Sequence, residues 1–274
     1  LAADPVDDAP LDDDPSGTTP EPKAATPTPA NEPRMLSKDL SRVLTSILVN
    51  ESRGAEAIEA STGLPPVNVA QAIDFLVGHG YVVRESETAG APDLLKVDES
   101  RHRAIGVSVR QGEIVGVLAT LRAGDLRQMT VPVDVSEIPE LIQAVNTVCH
   151  DLMSAEGLTP REIVGLGVNL PGHVDPRIGR VLYTPLARSP QWQDLPLASR
   201  LYKATGLPTS VDNDVNALAL YEKYFGTGQG LSDFTVAFVT AEGEGVGSGL
   251  VVGGSLVHGS TGSAGEIGHA RSVT

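Results

Sequence analysis

Cysteine is almost absent from this chain: Cys149 is the single one among 274 residues. That excludes an internal disulfide framework and suits a reducing compartment. Cys149 falls in an apolar helical pattern, so a buried, inert thiol is expected. Long apolar runs are missing as well. None approaches the roughly 18 residues of a membrane span, and the first residues lack the basic-then-apolar layout of a signal peptide. A soluble, cytoplasmic protein with no membrane partner is therefore expected. Basic residues are scarce, with 20 Lys and Arg against 35 Asp and Glu, a formal net charge of −15. Such a balance argues against broad, charge-driven affinity for nucleic acid.

The acidity is not evenly spread. Residues 1–34 hold eight acids and two bases, net −6, leaving −9 for the other 240 residues. The same stretch carries eight prolines and runs such as Ala24-Ala-Thr-Pro-Thr-Pro-Ala30. It cannot bury enough apolar surface to offset its ordering entropy, so a disordered acidic, Pro-rich tail is expected there. The remaining length suits one small and one large domain. The chain stops at Thr274, just past a glycine-rich motif, and a missing C-terminal part is expected; Leu1 in the place of Met leaves the N-terminus open too.

From Leu36 the pattern changes. Leu36, Leu40, Val43, Leu44, Ile47 and Leu48 recur at helical spacing to about Val49. A second helix is predicted over Ala55–Ser61, ended by Thr62-Gly63. A third opens at Leu64-Pro-Pro66, with Val69, Ile73, Leu76 and Val77 on one face, because proline is tolerated in a first turn. Tyr81–Arg84 and Leu94–Val97 read as two strands around a Gly90-Ala-Pro92 turn. Three helices and a hairpin over 36–97 are the layout of a winged helix-turn-helix. Its chemistry is thin for that task. Helix Pro65–Val77 offers Asn68 and Gln71 to a groove but no basic residue, and residues 35–97 hold five Lys and Arg against eight Asp and Glu, net −3. Arg42, Arg53 and Arg84 are the candidate phosphate contacts. The competing reading of this module is a dimer or protein contact.

Farther on, Ala104–Arg110 and Glu113–Ala119 read as an apolar β-hairpin, Ile138–Glu156 as a helix and Ile163–Asn169 as a strand. Val211-Asp-Asn-Asp-Val-Asn216 sits between a short strand and a helix beginning Ala217-Leu-Ala. Asn and Asp at such a junction can simply cap the helix. Three companions argue for more: Val164-Gly-Leu-Gly-Val-Asn-Leu-Pro-Gly172 upstream, then Gly243-Glu-Gly-Val-Gly-Ser-Gly249 in a strand–turn–strand setting, then Gly262-Ser-Ala-Gly-Glu-Ile-Gly-His269.

In that order these motifs resemble the ROK family of sugar kinases and sugar-responsive repressors, from about Arg103 to the last residue. Asp-Asn-Asp-Val-Asn together with Gly-Glu-Ile-Gly-His is the specific part. The resemblance implies an α/β, actin-like (ribonuclease H-like) sugar-kinase domain over 101–274, truncated, behind a winged helix whose Ala60-Ser-Thr-Gly-Leu64 turn is similar to that of the family's repressors. It implies sugar contacts from Gly172, Asn213, Asp214, Glu266 and His269. Asp214 would be the catalytic base if the domain were a kinase, since a carboxylate must accept the proton of the attacking hydroxyl. It also implies a structural zinc with His269 as first ligand and cysteines that these 274 residues do not contain, a DNA operator and a small-molecule sugar as partners, and a homodimer or homotetramer.

The chain departs from the family pattern in four places. Ser108 stands where the kinases place an Asp in the phosphate loop, and Val109-Arg-Gln-Gly112 retains one glycine there. Glu244 stands between two glycines in the second phosphate turn, where a carboxylate repels phosphate. Leu186 replaces a sugar-contacting Asn, and the wing has Ala91 for an arginine. ATP and magnesium binding are expected to be lost. The leading expectation is a sugar-responsive DNA-binding transcriptional regulator that is not an enzyme. The alternatives are an ATP-dependent hexose kinase of glucokinase type, and a scaffold that binds neither DNA nor ATP.

Overall fold

The computed structural model describes residues 38–49, 54–85, 93–187, 189–239 and 246–269. The tail 1–34, Arg53, the Gly90-Ala-Pro92 turn and the Gly243-Glu-Gly245 turn lie outside the described residues.

The first module is built from α1 (Lys38–Val49), α2 (Ala55–Thr62), α3 (Pro66–Gly78), β1 (Val82–Glu85) and β2 (Leu94–Val97), in the order expected. Gly63 ends α2 in the left-handed region (φ 63°) and returns its N–H to Glu59 O, a stop that a Cβ would strain. Proline at the start of α3 occupies a position whose N–H has no helical partner. The apolar faces of all three helices meet β1 and β2 in one cluster that includes Val43, Ile47, Ile58, Ile73, Leu76 and Leu95. Each such side chain, fully buried, contributes roughly 1.5–3 kcal/mol.

A short joint leads out of this module. Tyr81 stacks on His102 with ring centroids 4.1 Å apart, and His102 Nε2 donates to His79 O at 2.9 Å. Thr120 of the second module donates to Glu99 of the joint at 2.9 Å.

The second module begins with β3 (Arg103–Arg110), β4 (Glu113–Thr120), β5 (Asp125–Pro132), α4 (Ile138–Ala155) and β6 (Ile163–Leu170). It continues through the β7–β8 hairpin (His173–Asp175, Arg180–Tyr183), α5 (Leu197–Thr205), β9 (Thr209–Asn213) and α6 (Asp214–Phe225). A second sheet follows, from β10 (Phe234–Val239), β11 (Val246–Val252) and β12 (Ser255–Leu256). The main sheet has the order β5-β4-β3-β6-β9, with β3, β6 and β9 parallel and the first two pairings antiparallel. The core lies between this sheet and α4 and α5, through Ile105, Leu118, Leu141, Val148, Leu166 and Val211 among others. Gly116 is required by that packing: a Cβ there would stand 2.2 Å from Val148 Cγ1 of α4. Trp192, 1% exposed, is anchored by its Nε1 donating to Val135 O at 3.1 Å.

Among the elements that differ from the sequence expectation, three bear on how the sheets pack or on the α6 start. Strand β5 was not anticipated, because Asp125-Leu-Arg-Gln-Met-Thr-Val-Pro132 is an exposed edge strand with a weak apolar alternation. Helix α6 starts at Asp214 and not at Ala217, since Asn213 supplies the cap. Gly247 and Gly249 belong to β11 and not to a turn. A Cβ on Gly249 would come within 2.7 Å of Val215 O, so the glycines there let α6 lie against the strand.

Cys149 is buried in α4 as expected, and burial pushes its thiol up to about 12. The folded chain should react with iodoacetamide at least roughly a hundredfold more slowly than the urea-unfolded chain. Equal rates, read by mass spectrometry, would show that α4 does not seal this position.

Candidate functional site

The carboxyl ends of the parallel strands bring together most of the residues that the motifs single out. Ser108 in β3 pairs with Asn169 in β6, and Asn169 pairs with Asp212 in β9, so three polar residues form one row across the sheet. In open α/β sheets this is the edge where ligands bind. Beyond the row, β6 runs into Pro171-Gly172 and β9 into the first turn of α6.

Asn213 is the brace of that edge. Its Oδ1 accepts from Val215 N at 2.8 Å and Asn216 N at 3.2 Å, capping α6. Its Nδ2 donates to Gly172 O at 2.8 Å. The side chain therefore spends most of its hydrogen-bonding capacity on the protein, and its main role here is to tie the Gly172 loop to the helix. Gly172 itself has φ 129°, and a Cβ would stand 2.3 Å from Tyr183 O, so only glycine lets the β8 backbone approach. Thr184 closes the same loop by donating to Pro171 O at 2.8 Å.

Asp214 is the first residue of α6. Its Oδ1 accepts from Val215 N at 2.9 Å. Burial raises its pKa above the ordinary carboxylate value, and backbone N–H groups oppose that shift without cancelling it. A half-buried carboxylate at a helix N-terminus is a good acceptor for a hydroxyl donor, because a ligand O–H can restore the solvation that burial removed.

Asp212 is more fully engaged. Its Oδ1 accepts from Asn213 N (2.7 Å) and Asn216 Nδ2 (2.9 Å), and its Oδ2 lies 2.8 Å from His258 Nε2. Asp175 is held below the ordinary carboxylate range by the Arg177 guanidinium, with a smaller contribution from His258. Glu266, half-buried, leads into the 3₁₀ turn Ile267–His269. That segment is fastened to β11, where Gly265 O accepts from Ser248 N at 3.0 Å and from Ser248 Oγ at 2.9 Å. Gly249 and Val215 tie the same strand to the first turn of α6. The side chain of His269 lies outside the described residues.

Three constituents were not anticipated: Asn169, Asn216 and the His258–Asp212 pair. A lone histidine between Val257 and Gly259 carries no periodic signal, and the parallel register that aligns Asn169 is a tertiary fact. The zinc set is not completed by the residues present. Among the described residues no three His, Cys, Asp or Glu side chains converge as metal ligands, and the one cysteine is sealed in α4. A separate concavity lies away from this edge. A groove of about 520 Å³ at the opposite ends of β3, β6 and β9, lined by Ala104, Gly106, Val117, Gly167 and Phe225 among others, contains no titratable side chain.

In the first module, α3 exposes Val67, Ala70 and Gln71. Asn68 donates to Asp39 at 3.1 Å, and Arg42 donates to Thr62 O. Arg84 pairs with Asp74 at 2.8 Å and Asp93 at 3.7 Å, and Lys96 pairs with Glu85.

Replacing Asn213 by alanine removes the cap and the tie to Gly172 together. It should lower unfolding free energy by about 1–2 kcal/mol, read as a lower urea midpoint at unchanged slope.

The model of the ROK family matches residues 106–273. A xylose repressor from Caldicellulosiruptor bescii is 30% identical over 232 residues, 83% of this chain and 57% of its own. A solved ROK family transcriptional regulator, a homolog of the E. coli MLC protein, has a TM-score of 0.70 at 22% identity, over 85% of this chain and 59% of that one. A ROK family glucokinase from Streptomyces griseus, solved with glucose and AMPPNP, has a TM-score of 0.54 at 28% identity, over 62% of this chain and 51% of its own. The chain thus spans little more than half the length of these relatives. The main sheet, with α4 to α6 and the start of the second sheet, is part of the actin-like α/β fold of sugar kinases, and the chain belongs to the ROK family.

Proposed function

We propose that this chain is the operator-binding and sugar-sensing part of a ROK-type transcriptional regulator. The observation that carries the reading is the extent of similarity. The match to a xylose repressor takes in 83% of the chain, whereas the ROK model begins at Gly106. A match of that length includes much of the three-helix module. The regulator structure likewise covers 85% of the chain, and the glucokinase structure only 62%. Similarity to regulators therefore extends over the winged module, and similarity to the kinase is accounted for by the α/β domain.

In this reading the Asp212–Asp214 junction, Gly172 and Glu266 form a cleft for a neutral sugar, whose hydroxyls both donate and accept and so suit carboxylates and amides. Xylose is the first candidate, from the relative's name. The sugar alters DNA affinity by binding one arrangement of the two modules better than the other. The winged module reads DNA through α3, with Gln71 suited to adenine and Val67 and Ala70 to thymine methyl groups. Its cations are largely occupied by Asp74, Asp93, Glu85 and Thr62 O. Few phosphates are neutralised, so the salt dependence of binding should be shallow.

The test is selection of genomic fragments by the protein at physiological salt, with and without xylose, hexoses and amino sugars. A recovered, partly palindromic site whose retention changes with one sugar is expected. Gln71→Ala should then weaken that site by about 1–3 kcal/mol while leaving non-specific binding unchanged. No enrichment over non-specific fragments would overturn the reading.

The kinase reading is favoured by the glucokinase similarity, and chemistry opposes it. Ser108 offers no carboxylate for magnesium. The β3–β4 connection is a tight turn through Gln111 and Gly112, with φ 77° at Gly112, and not an open phosphate loop. No ATP- and magnesium-dependent sugar phosphate should form. Asp214→Ala should weaken the sugar response by about tenfold, the loss of a charged hydrogen bond. Measurable turnover that Asp214→Ala abolishes would establish the kinase instead.

A further inference from the structure

His258 has no part in the site expected from the motifs. It lies in the loop after β12, which is folded on itself by Ala264 N donating to His258 O at 3.1 Å. Two side chains from the β7–β8 region reach this loop. His173 Nε2 donates to Thr261 O at 2.7 Å, and Arg177 Nη2 to Ser260 O at 3.1 Å. Both end on backbone oxygens, so they hold the loop whatever its side chains are.

The third tie differs in kind. His258 Nε2 meets Asp212 Oδ2 side chain to side chain at 2.8 Å, with the two 29% and 18% exposed. The other Asp212 oxygen is taken by Asn213 N and Asn216 Nδ2. Both oxygens are engaged, each by different partners, which holds the carboxylate in one orientation. Without the imidazole, one Asp212 oxygen would lose its partner in a partly buried place, two residues from Asp214. The carboxylate could then turn away from Asn216 and act as a like charge on its neighbour.

We infer that His258 is a positioning residue for the sugar site: it holds Asp212, and through Asp212 the strand-to-helix junction that presents Asp214 to the ligand. The inference rests on the sugar-site reading given above. It also links the two sheets, since His258 follows β12 and Asp212 ends β9. A sugar bound at the junction therefore meets a carboxylate pair already fixed.

The test titrates xylose, glucose and N-acetylglucosamine by calorimetry into the wild-type chain and into His258→Ala, His258→Gln and His173→Ala. Glutamine can place an N–H donor near the position of Nε2. For whichever sugar the wild type binds, His258→Ala should raise Kd about tenfold or more, and His258→Gln should stay within about threefold. His173→Ala frees the same loop at Thr261 and should also stay within about threefold. Equal losses in His258→Ala and His173→Ala would overturn the inference, because His258 would then only anchor the loop. So would an unaffected His258→Ala, or a His258→Gln as weak as the alanine variant.

Amide hydrogen exchange without sugar keeps this separate from the proposed function. The Val215 and Asn216 amides should exchange about tenfold faster in His258→Ala and at the wild-type rate in His258→Gln, even if none of the three sugars binds. Unchanged exchange in His258→Ala overturns the positioning role by itself. Absent sugar binding in the wild type overturns the sugar-site reading instead.

Discussion

The first N–H groups of α6 have no partner inside the helix, and how they are satisfied sets the geometry around the cleft. Asn213 takes two of them and spends its amide on Gly172. One side chain thereby fixes the helix start, the end of β9 and the loop after β6. Asp212 and Asp214 point where they do because the residue between them is pinned. The acids are the chemically conspicuous members of the cluster, yet the neutral amide gives them their places. The Gly172 loop is in turn pressed so close to Tyr183 that no side chain fits, so the contact between β8 and the cleft is a backbone contact.

The two modules solve opposite electrostatic problems. At the cleft, burial raises the pKa of Asp214, and backbone dipoles partly compensate. In the proposed sugar site such a carboxylate would exchange water for a ligand hydroxyl. In the first module the charges are surface pairs, such as Arg84 with Asp74, which contribute little stability. Their effect is on availability, because a guanidinium already facing a carboxylate must give up that partner before it can meet a phosphate. Whatever selectivity this module has must come more from the shape and apolar side of α3 than from attraction at a distance.

Much of the architecture was legible from local pattern. The helices over Lys38–Val49 and Ile138–Ala155 follow from their apolar spacing, and Leu94–Val97 from its bounded β pattern. The placement of Asp212, Asn213 and Asp214 at a strand-to-helix junction followed from residue chemistry alone. What stayed hidden was set by tertiary contact. Strand β5 exists because β4 offers an edge, not because its own residues alternate strongly. The glycines of β11 read as a turn since nothing local reveals that α6 lies against them. The tie from Asn213 to the Gly172 loop left no mark on the sequence either, because a cap alone accounts for an Asn at that junction. Its bond to Gly172 joins residues 41 apart.

Strand β3 begins at the joint where His102 stacks on Tyr81 and ends near the row through Ser108. It is hydrogen-bonded along both edges, to β4 and to β6. Sliding it by one residue would turn every buried side chain outward. In the proposed regulator, a signal between the two modules would therefore not travel as a piston stroke along this strand; it would pass as a tilt of the whole sheet, with β3 as a stiff lever and the aromatic stack at the joint as its fulcrum.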